Sequence, residues 1–298
     1  MSLRDIFAGI GVVVVLWMVG VFALGYAAVS AVKNTPFNSG VEAFKVKSDH
    51  AVGVVELTGE IMTSRKFEKA LDGFLANDRI KAIVVRIDTP GGSAGASEEI
   101  QALIKRADSK KPVVCSMGSI AASGGIYSAM GCRKIVANAA TITGSIGVIM
   151  MSPNVAGIME KLGVKMLTVK SGALKDAGSP FREPTEQDLQ YLQAEITRSY
   201  EQFVNVIAAA RKLPAEEVKK FADGRIILGE EAKRLGLIDE IGTIYTAAGI
   251  ALKEAGDDGE PELVRKGPSS VWGMLQDLPD SETLSSLSNL IRGGLYYR

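Results

Sequence analysis

The chain has 298 residues, 47% of them hydrophobic and 23% charged, which is the composition of a folded globular protein and not of a disordered one. Lys+Arg and Asp+Glu are equal at 34 each, so no global field draws the chain to nucleic acid or to an anionic membrane surface. There is one histidine, His50, and it must serve any mechanism that needs an imidazole.

From Ala8 to Val32 the sequence reads AGIGVVVVLWMVGVFALGYAAVSAV. That is about 25 residues without formal charge, where about 20 cross a bilayer core as a helix. A single membrane anchor is expected over 8–32, after a short N-terminal tail at 1–7. A cleaved signal peptide, with Ala27, Ala28, Ser30 and Ala31 as its small cleavage-site residues, is the alternative, but its apolar region would be shorter. Arg4 and Asp5 on one side and Lys33 on the other give no clear orientation.

A polar linker (33–50) leads to AVGVVELTGEI (Ala51 to Ile61), a β-branched run of strand type. A second strand, Ile80 to Thr89, ends at the turn Pro90-Gly91-Gly92-Ser93, and a helix follows over Ala96 to Ala107 with Ile100, Leu103 and Ile104 at helical spacing. The pattern recurs as a strand (Lys111 to Met117), a turn (Ala121 to Gly125) and a short helix (Ile126 to Gly131). It recurs once more with a strand at Arg133 to Asn138 and a glycine turn over Thr141 to Met150. Strand and helix alternating at this spacing predict an α/β domain with a mainly parallel sheet over 51–255. A long amphipathic helix is expected over Gln187 to Leu213 with Thr185 as N-cap, then helices at Ala215 to Ala222 and Gly229 to Leu235. The segment 256–298 is expected to be a C-terminal tail, loosely attached from Gly267-Pro268 onward, with Tyr296-Tyr297-Arg298 expected to be a disordered end and a self-inhibitory peptide as the alternative. Cys115 and Cys132 lack metal or redox spacing and lie in apolar stretches, so both are expected to be small core residues.

A serine hydroxyl becomes a nucleophile only when a neighbouring base takes its proton, and acyl transfer also needs N–H donors for the oxyanion. His50 sits in Lys47-Ser48-Asp49-His50, at the junction of linker and first strand, where a solvated role is expected. A Ser-His-Asp triad is therefore disfavoured, and a Ser-Lys pair is the natural substitute. Such a lysine must have its pKa lowered from about 10.4 by burial or by neighbours. Ser123 occupies a strand-to-helix turn between Ala122 and Gly124, where backbone N–H groups and the helix dipole face a reacting carbonyl. The turn at Gly91-Gly92 offers the same geometry, and Ser145, in a third glycine turn, stands as a rival nucleophile.

Four motifs occur in order: DTPGGS (Asp88 to Ser93), AASGGIY (Ala121 to Tyr127), TGSIGV (Thr143 to Val148) and SGALKD (Ser171 to Asp176). Together they resemble the signal peptide peptidase family called SppA, over roughly Val52 to Gly242 plus the anchor. The resemblance implies the ClpP/crotonase-like α/β fold, Ser123 as nucleophile and Lys175 as general base. It further implies Ser145 as the group that orients the lysine, and Gly124 with Gly91 or Gly92 as oxyanion donors, with no metal and no cofactor. It also implies a homo-oligomeric ring in which the dyad is shared between subunits, because the family's short form carries a single copy of the domain. The implied substrates are apolar signal-peptide remnants and unfolded peptides. The implied setting is a single-pass protein of the cytoplasmic membrane with its catalytic domain on the outer, periplasmic face. Lys165 and Lys170 lie in a strand-like run with Met166, Leu167 and Val169 and are expected to face solvent. Asp176 would hold Lys175 protonated if the two paired. Competing functions are a related Ser-Lys protease that cuts a membrane protein such as a stomatin-like partner, a crotonase-type acyl-CoA enzyme, and an inactive scaffold that binds apolar peptides.

Overall fold

The computed structural model describes residues 46–265 and the backbone of Tyr296 and Tyr297. The expected anchor at 8–32, most of the linker and residues 266–295 of the tail lie outside the described residues. Among the described residues no helix is long and apolar enough to cross a membrane.

In chain order, β1 (Ala51–Thr58) leads through α1 (Arg65–Leu75) to β2 (Ile80–Thr89) and the two-residue β3 (Gly92–Ser93). Then come α2 (Ala94–Asp108), β4 (Val113–Ala121), α3 (Gly124–Ala129), β5 (Lys134–Ala137) and β6 (Ile142–Gly144). An excursion carrying α4 (Ala156–Lys161) and a 3-10 turn (Ala173–Asp176) precedes the long α5 (Glu186–Arg211). The rest is α6 (Ala215–Lys219), β7 (Ile226–Leu228), α7 (Gly229–Arg234), β8 (Glu240–Ile241), α8 (Ile244–Glu254), β9 (Glu262–Arg265) and β10 (Tyr296–Tyr297).

The main sheet runs β7-β6-β4-β2-β1-β9, with β5 beside β4 and β8 beside β5. All its pairings are parallel except β6 with β7. This is the mainly parallel α/β sheet expected, and its strands are continuous apolar runs because helices cover both faces. One face, Val52, Ala82, Val84, Val114 and Val136, packs on Ala247, Ala248, Ala251 and Leu252 of α8. The alternate residues, among them Val55, Ile83, Val85, Ile87, Cys115 and Met117, share the larger core with Phe67, Leu71 and Phe74 of α1 and with Ile100, Tyr127 and Phe203. Gly53 makes room for one of these, since a Cβ there would lie 2.6 Å from the Phe74 ring. The sequence reading passed over α1, although Phe67, Leu71 and Phe74 recur at helical spacing and are all buried.

Three local readings change. Cys115 and Cys132 are not free core thiols but a disulfide, with Cα atoms 5.8 Å apart. Their separation of 17 in sequence hides this, and the strand-turn-helix reversal between them brings them together. The run around Lys165 to Val169 forms no strand. The terminal dipeptide Tyr296–Tyr297 is not free either, because its backbone pairs antiparallel with Gly92–Ser93 of β3. Thr185 does cap α5 as expected, in a full capping box with Asp188.

Candidate active site

In a parallel sheet the carboxyl ends of the strands form one rim, and ligands bind there. β2 and β4 end on this rim with Thr89 opposite Ala121, and the two glycine turns leave from it side by side. His50 precedes β1 and so lies at the opposite rim, about 25 Å of strand away at roughly 3.3 Å per residue. It is not simply solvated there: its Nδ1 pairs with Asp257 at 2.8 Å, and the contact holds the Asp257 carboxyl below its usual range.

Ser123 stands at the N-cap of α3 with φ 52° and ψ −112°, a conformation that costs a non-glycine residue roughly 1–3 kcal/mol. Its neighbours fix it there: the Ser123 N–H donates to the Gly144 carbonyl at 2.9 Å, and its own carbonyl accepts from Tyr127 N at 3.0 Å. Tyr127 in turn stacks at a tilt on Phe203 of α5, with ring centroids 5.0 Å apart. Ser123 is 0% exposed, and among the described residues its Oγ is a buried side-chain atom without a hydrogen-bond partner. A buried hydroxyl left unpaired costs roughly 1–3 kcal/mol.

The surrounding backbone is packed to a tolerance that explains the glycines. A Cβ on Gly124 would sit 2.3 Å from Ser97 Oγ on α2 and 3.3 Å from the Gly92 nitrogen, so the start of α3 lies against the β3 turn. A Cβ on Gly92 would strike the Ile61 backbone at 2.2 Å, and Gly92 has φ +155°. Gly91 N–H is donated to Thr89 Oγ1 at 3.1 Å, and Thr89 Oγ1 itself donates to the Gly59 carbonyl. Ser145 has φ 48°, is half-buried, and donates its N–H to the Arg225 carbonyl at 2.7 Å. It follows Gly144, whose carbonyl receives the Ser123 N–H, so the second and third glycine turns meet.

Lys175 is elsewhere. It lies in the 3-10 turn, exposed, and makes no hydrogen bond to Ser123. Lys170 is committed to Asp176 at 2.5 Å, and Lys165 is exposed. Asp176 does not pair with Lys175, because Lys170 and Arg182 occupy both of its oxygens. The sequence reading missed Arg182 and Ser97, since neither lies on an apolar period or in a glycine motif that would single it out; Thr89 lies within the DTPGGS motif, but its hydrogen bonds to Gly59 and Gly91 leave no mark in the sequence.

A serine at a strained turn, on the carboxyl rim of a parallel sheet and at a helix N-terminus, can form an acyl intermediate whose oxyanion meets backbone N–H groups. Such a fold and site fit an α/β serine peptidase, and the similarity to known proteins shows that class. Residues 105–256 match Peptidase family S49. A Synechocystis sp. protein provisionally named a protease is 45% identical over 257 residues, which is 81% of this chain and 92% of that one. An Enterococcus faecium protein provisionally named signal peptide peptidase SppA is 38% identical over 212 residues, 68% of this chain and 61% of that one. A ClpP1 mutant from Listeria monocytogenes aligns with a TM-score of 0.46 and 20% identity over 65% of this chain and 94% of that one. The chain belongs to peptidase family S49.

Proposed function

We propose that the chain is a membrane-anchored endopeptidase that degrades apolar signal-peptide remnants with Ser123 as nucleophile and Lys175 of a neighbouring copy as general base. The observation that carries this is the buried Ser123 Oγ, strained in φ and without a partner. Ser123 Oγ adds to the scissile carbonyl while Lys175 Nζ takes its proton. The tetrahedral intermediate collapses with loss of the amine, which takes that proton from Lys175, and water then hydrolyses the acyl-serine by the same route. Gly124 and Gly92 are the favoured oxyanion donors, since the Gly91 N–H is engaged by Thr89. Ser145, beside the Ser123 turn, orients the incoming lysine.

A second copy is invoked because the lysine-bearing excursion buries almost nothing. Met151, Ile158, Leu162, Leu167 and Val169 are exposed, the last two at 87% and 89%, which is unusual for a lone soluble surface. The disulfide supports an oxidising compartment, in keeping with a domain outside the cytoplasmic membrane behind an anchor at 8–32. The relative named signal peptide peptidase supports the substrate class. Labelling with a fluorophosphonate probe and mapping the modified peptide tests the nucleophile: label on Ser123 is expected, and label on Ser145 reverses the assignment. Cleavage of a synthetic signal peptide in detergent, kept in His50→Ala and lost in Ser123→Ala, tests the substrate class and the absence of a histidine base.

A further inference from the structure

The segment that carries Lys175 has a polar anchor of its own. Asp176 Oδ1 accepts from Lys170 Nζ at 2.5 Å and from Arg182 Nη2 at 2.9 Å, and Oδ2 accepts from Arg182 Nε at 2.9 Å. Arg182 Nη2 also reaches the Asp176 backbone carbonyl at 3.2 Å, so the guanidinium grips both side chain and main chain of the residue after Lys175. On its other edge, Nη1 donates to Asp188 Oδ2 at 2.5 Å and to the Glu183 carbonyl at 3.0 Å. The Asp188 side chain is 3% exposed, and it accepts from the Thr185 N–H at 2.9 Å as the third residue of the α5 capping box. One guanidinium thus ties the 3-10 turn to the N-terminus of a 26-residue helix. The hydrogen bonds from Arg182 hold the Asp176 and Asp188 carboxyls well below the usual carboxylate range.

We infer that Arg182 is a positioning residue for the general base: it keeps the Asp176 carboxylate occupied, so that Lys175 next to it has no counter-ion, and pins the turn that presents Lys175. The inference rests on the reading of Lys175 as the base. A carboxylate paired with a lysine base stabilises the ammonium form and leaves less neutral amine to accept a proton from serine. In this cluster the two positive charges of Lys170 and Arg182 balance the two negative charges of Asp176 and Asp188, so the surroundings of Lys175 are neutral. Replacing Arg182 by glutamine leaves one uncompensated negative charge and frees Asp176 Oδ2, with Lys170 still holding Oδ1. Replacing Asp176 by asparagine in the same chain restores neutrality.

The test is a pH–rate profile of kcat on the full chain in detergent. Arg182→Gln is expected to move the acidic limb upward by about one unit, about tenfold lower activity at pH 7, with recovery at high pH. Arg182→Gln with Asp176→Asn is expected to return the limb toward its original position. A limb that stays put in Arg182→Gln, or a shift that Asp176→Asn does not reverse, overturns the inference and leaves Arg182 a structural residue. If Arg182→Gln does not fold by thermal melting, Arg182→Lys, which keeps the charge and loses the fork, carries the same test with a smaller upward shift expected and an unmoved limb overturning it. Lys175→Ala separates the two failures. Activity in Lys175→Ala removes the base reading itself, whereas an inactive Lys175→Ala with an unmoved Arg182→Gln limb removes only the role of Arg182.

Discussion

The regions around Ser123 and around Lys175 are built in opposite ways. The Ser123 turn is closed on every side: by the Gly144 carbonyl, by the Tyr127–Phe203 contact, by Ser97 against Gly124, and by a disulfide that brackets it in sequence. The Lys175 turn sits in an excursion with no buried residue between 150 and 182, held by ion pairs and edged with exposed methionine, leucine and valine. The half that must be strained is supported by the core, as a residue with φ 52° requires. The segment that carries Lys175 has no such support. The proposed completion of the site by a second copy would account for the contrast.

The largest expected effect tests that contrast directly. Ser123→Ala and Lys175→Ala should each lower kcat by about 10⁴-fold or more, as expected when members of a catalytic unit are removed. Mixing the two inactive proteins under conditions that allow subunit exchange should restore about a quarter of the sites, since each restored site draws its serine and its lysine from different copies. No recovery after confirmed exchange would place both residues within one chain and break the comparison. Leu167→Asp, on the exposed face, should reduce the assembled size by sedimentation and lower activity without lowering the melting temperature of the Ser123 half.

Gly124→Ala acts on the closed half alone. The new methyl would meet Ser97 Oγ at 2.3 Å and stand 3.3 Å from the Gly92 nitrogen, so the start of α3 must shift. A loss of about 10²–10³-fold in kcat is expected, the size seen when one oxyanion donor is misplaced, while assembly stays intact. Adding Ser97→Ala should recover thermal stability more than activity, because the crowding at Gly92 remains. Equal recovery of both would mean that Gly124 serves packing only.

How much of this was legible follows from what kind of signal each part leaves. β2 and α5 leave long runs with a clear period, and both form over the expected ranges to within a residue or two. The glycine turns announce themselves because only glycine fits against Ile61 and Ser97. The disulfide was not legible, because Cys115 in a strand and Cys132 after a helix look like separate core positions until the reversal between them is built. Arg182 was hidden for a related reason: its partners Asp176 and Asp188 lie six residues to either side, in a turn and a helix whose approach no sequence period encodes. The doubt that Asp176 raises from sequence is answered only by seeing both of its oxygens taken.

The disulfide gives a smaller effect of a different kind. Cys115→Ser with Cys132→Ser should cost about 3 kcal/mol of stability for a loop of this length, read by thermal or denaturant unfolding. Activity at 25 °C should fall by only a few-fold, because the hydrogen bonds that hold the Ser123 turn do not run through sulfur. A loss in activity far larger than the loss in stability would mean that the covalent tie, and not the packing, holds the strained turn.

The smallest effect concerns the place where the closed half also receives something from outside the core. Tyr296–Tyr297 pairs antiparallel with Gly92–Ser93, the edge beside Gly124 where an extended peptide would add as a strand. Two residues of pairing form a weak contact, with a dissociation constant on the order of millimolar, but the tail is tethered to the same chain and its effective concentration is of the same order. Occupancy near one half then follows, and a substrate competing for that edge shows about twice the KM it would otherwise have. Deleting Tyr296 to Arg298 should lower KM for short peptides about twofold at unchanged kcat. An unchanged KM would mean that substrate does not pair along β3, and the approach to Ser123 would have to be sought on the side of the sheet rim facing β6.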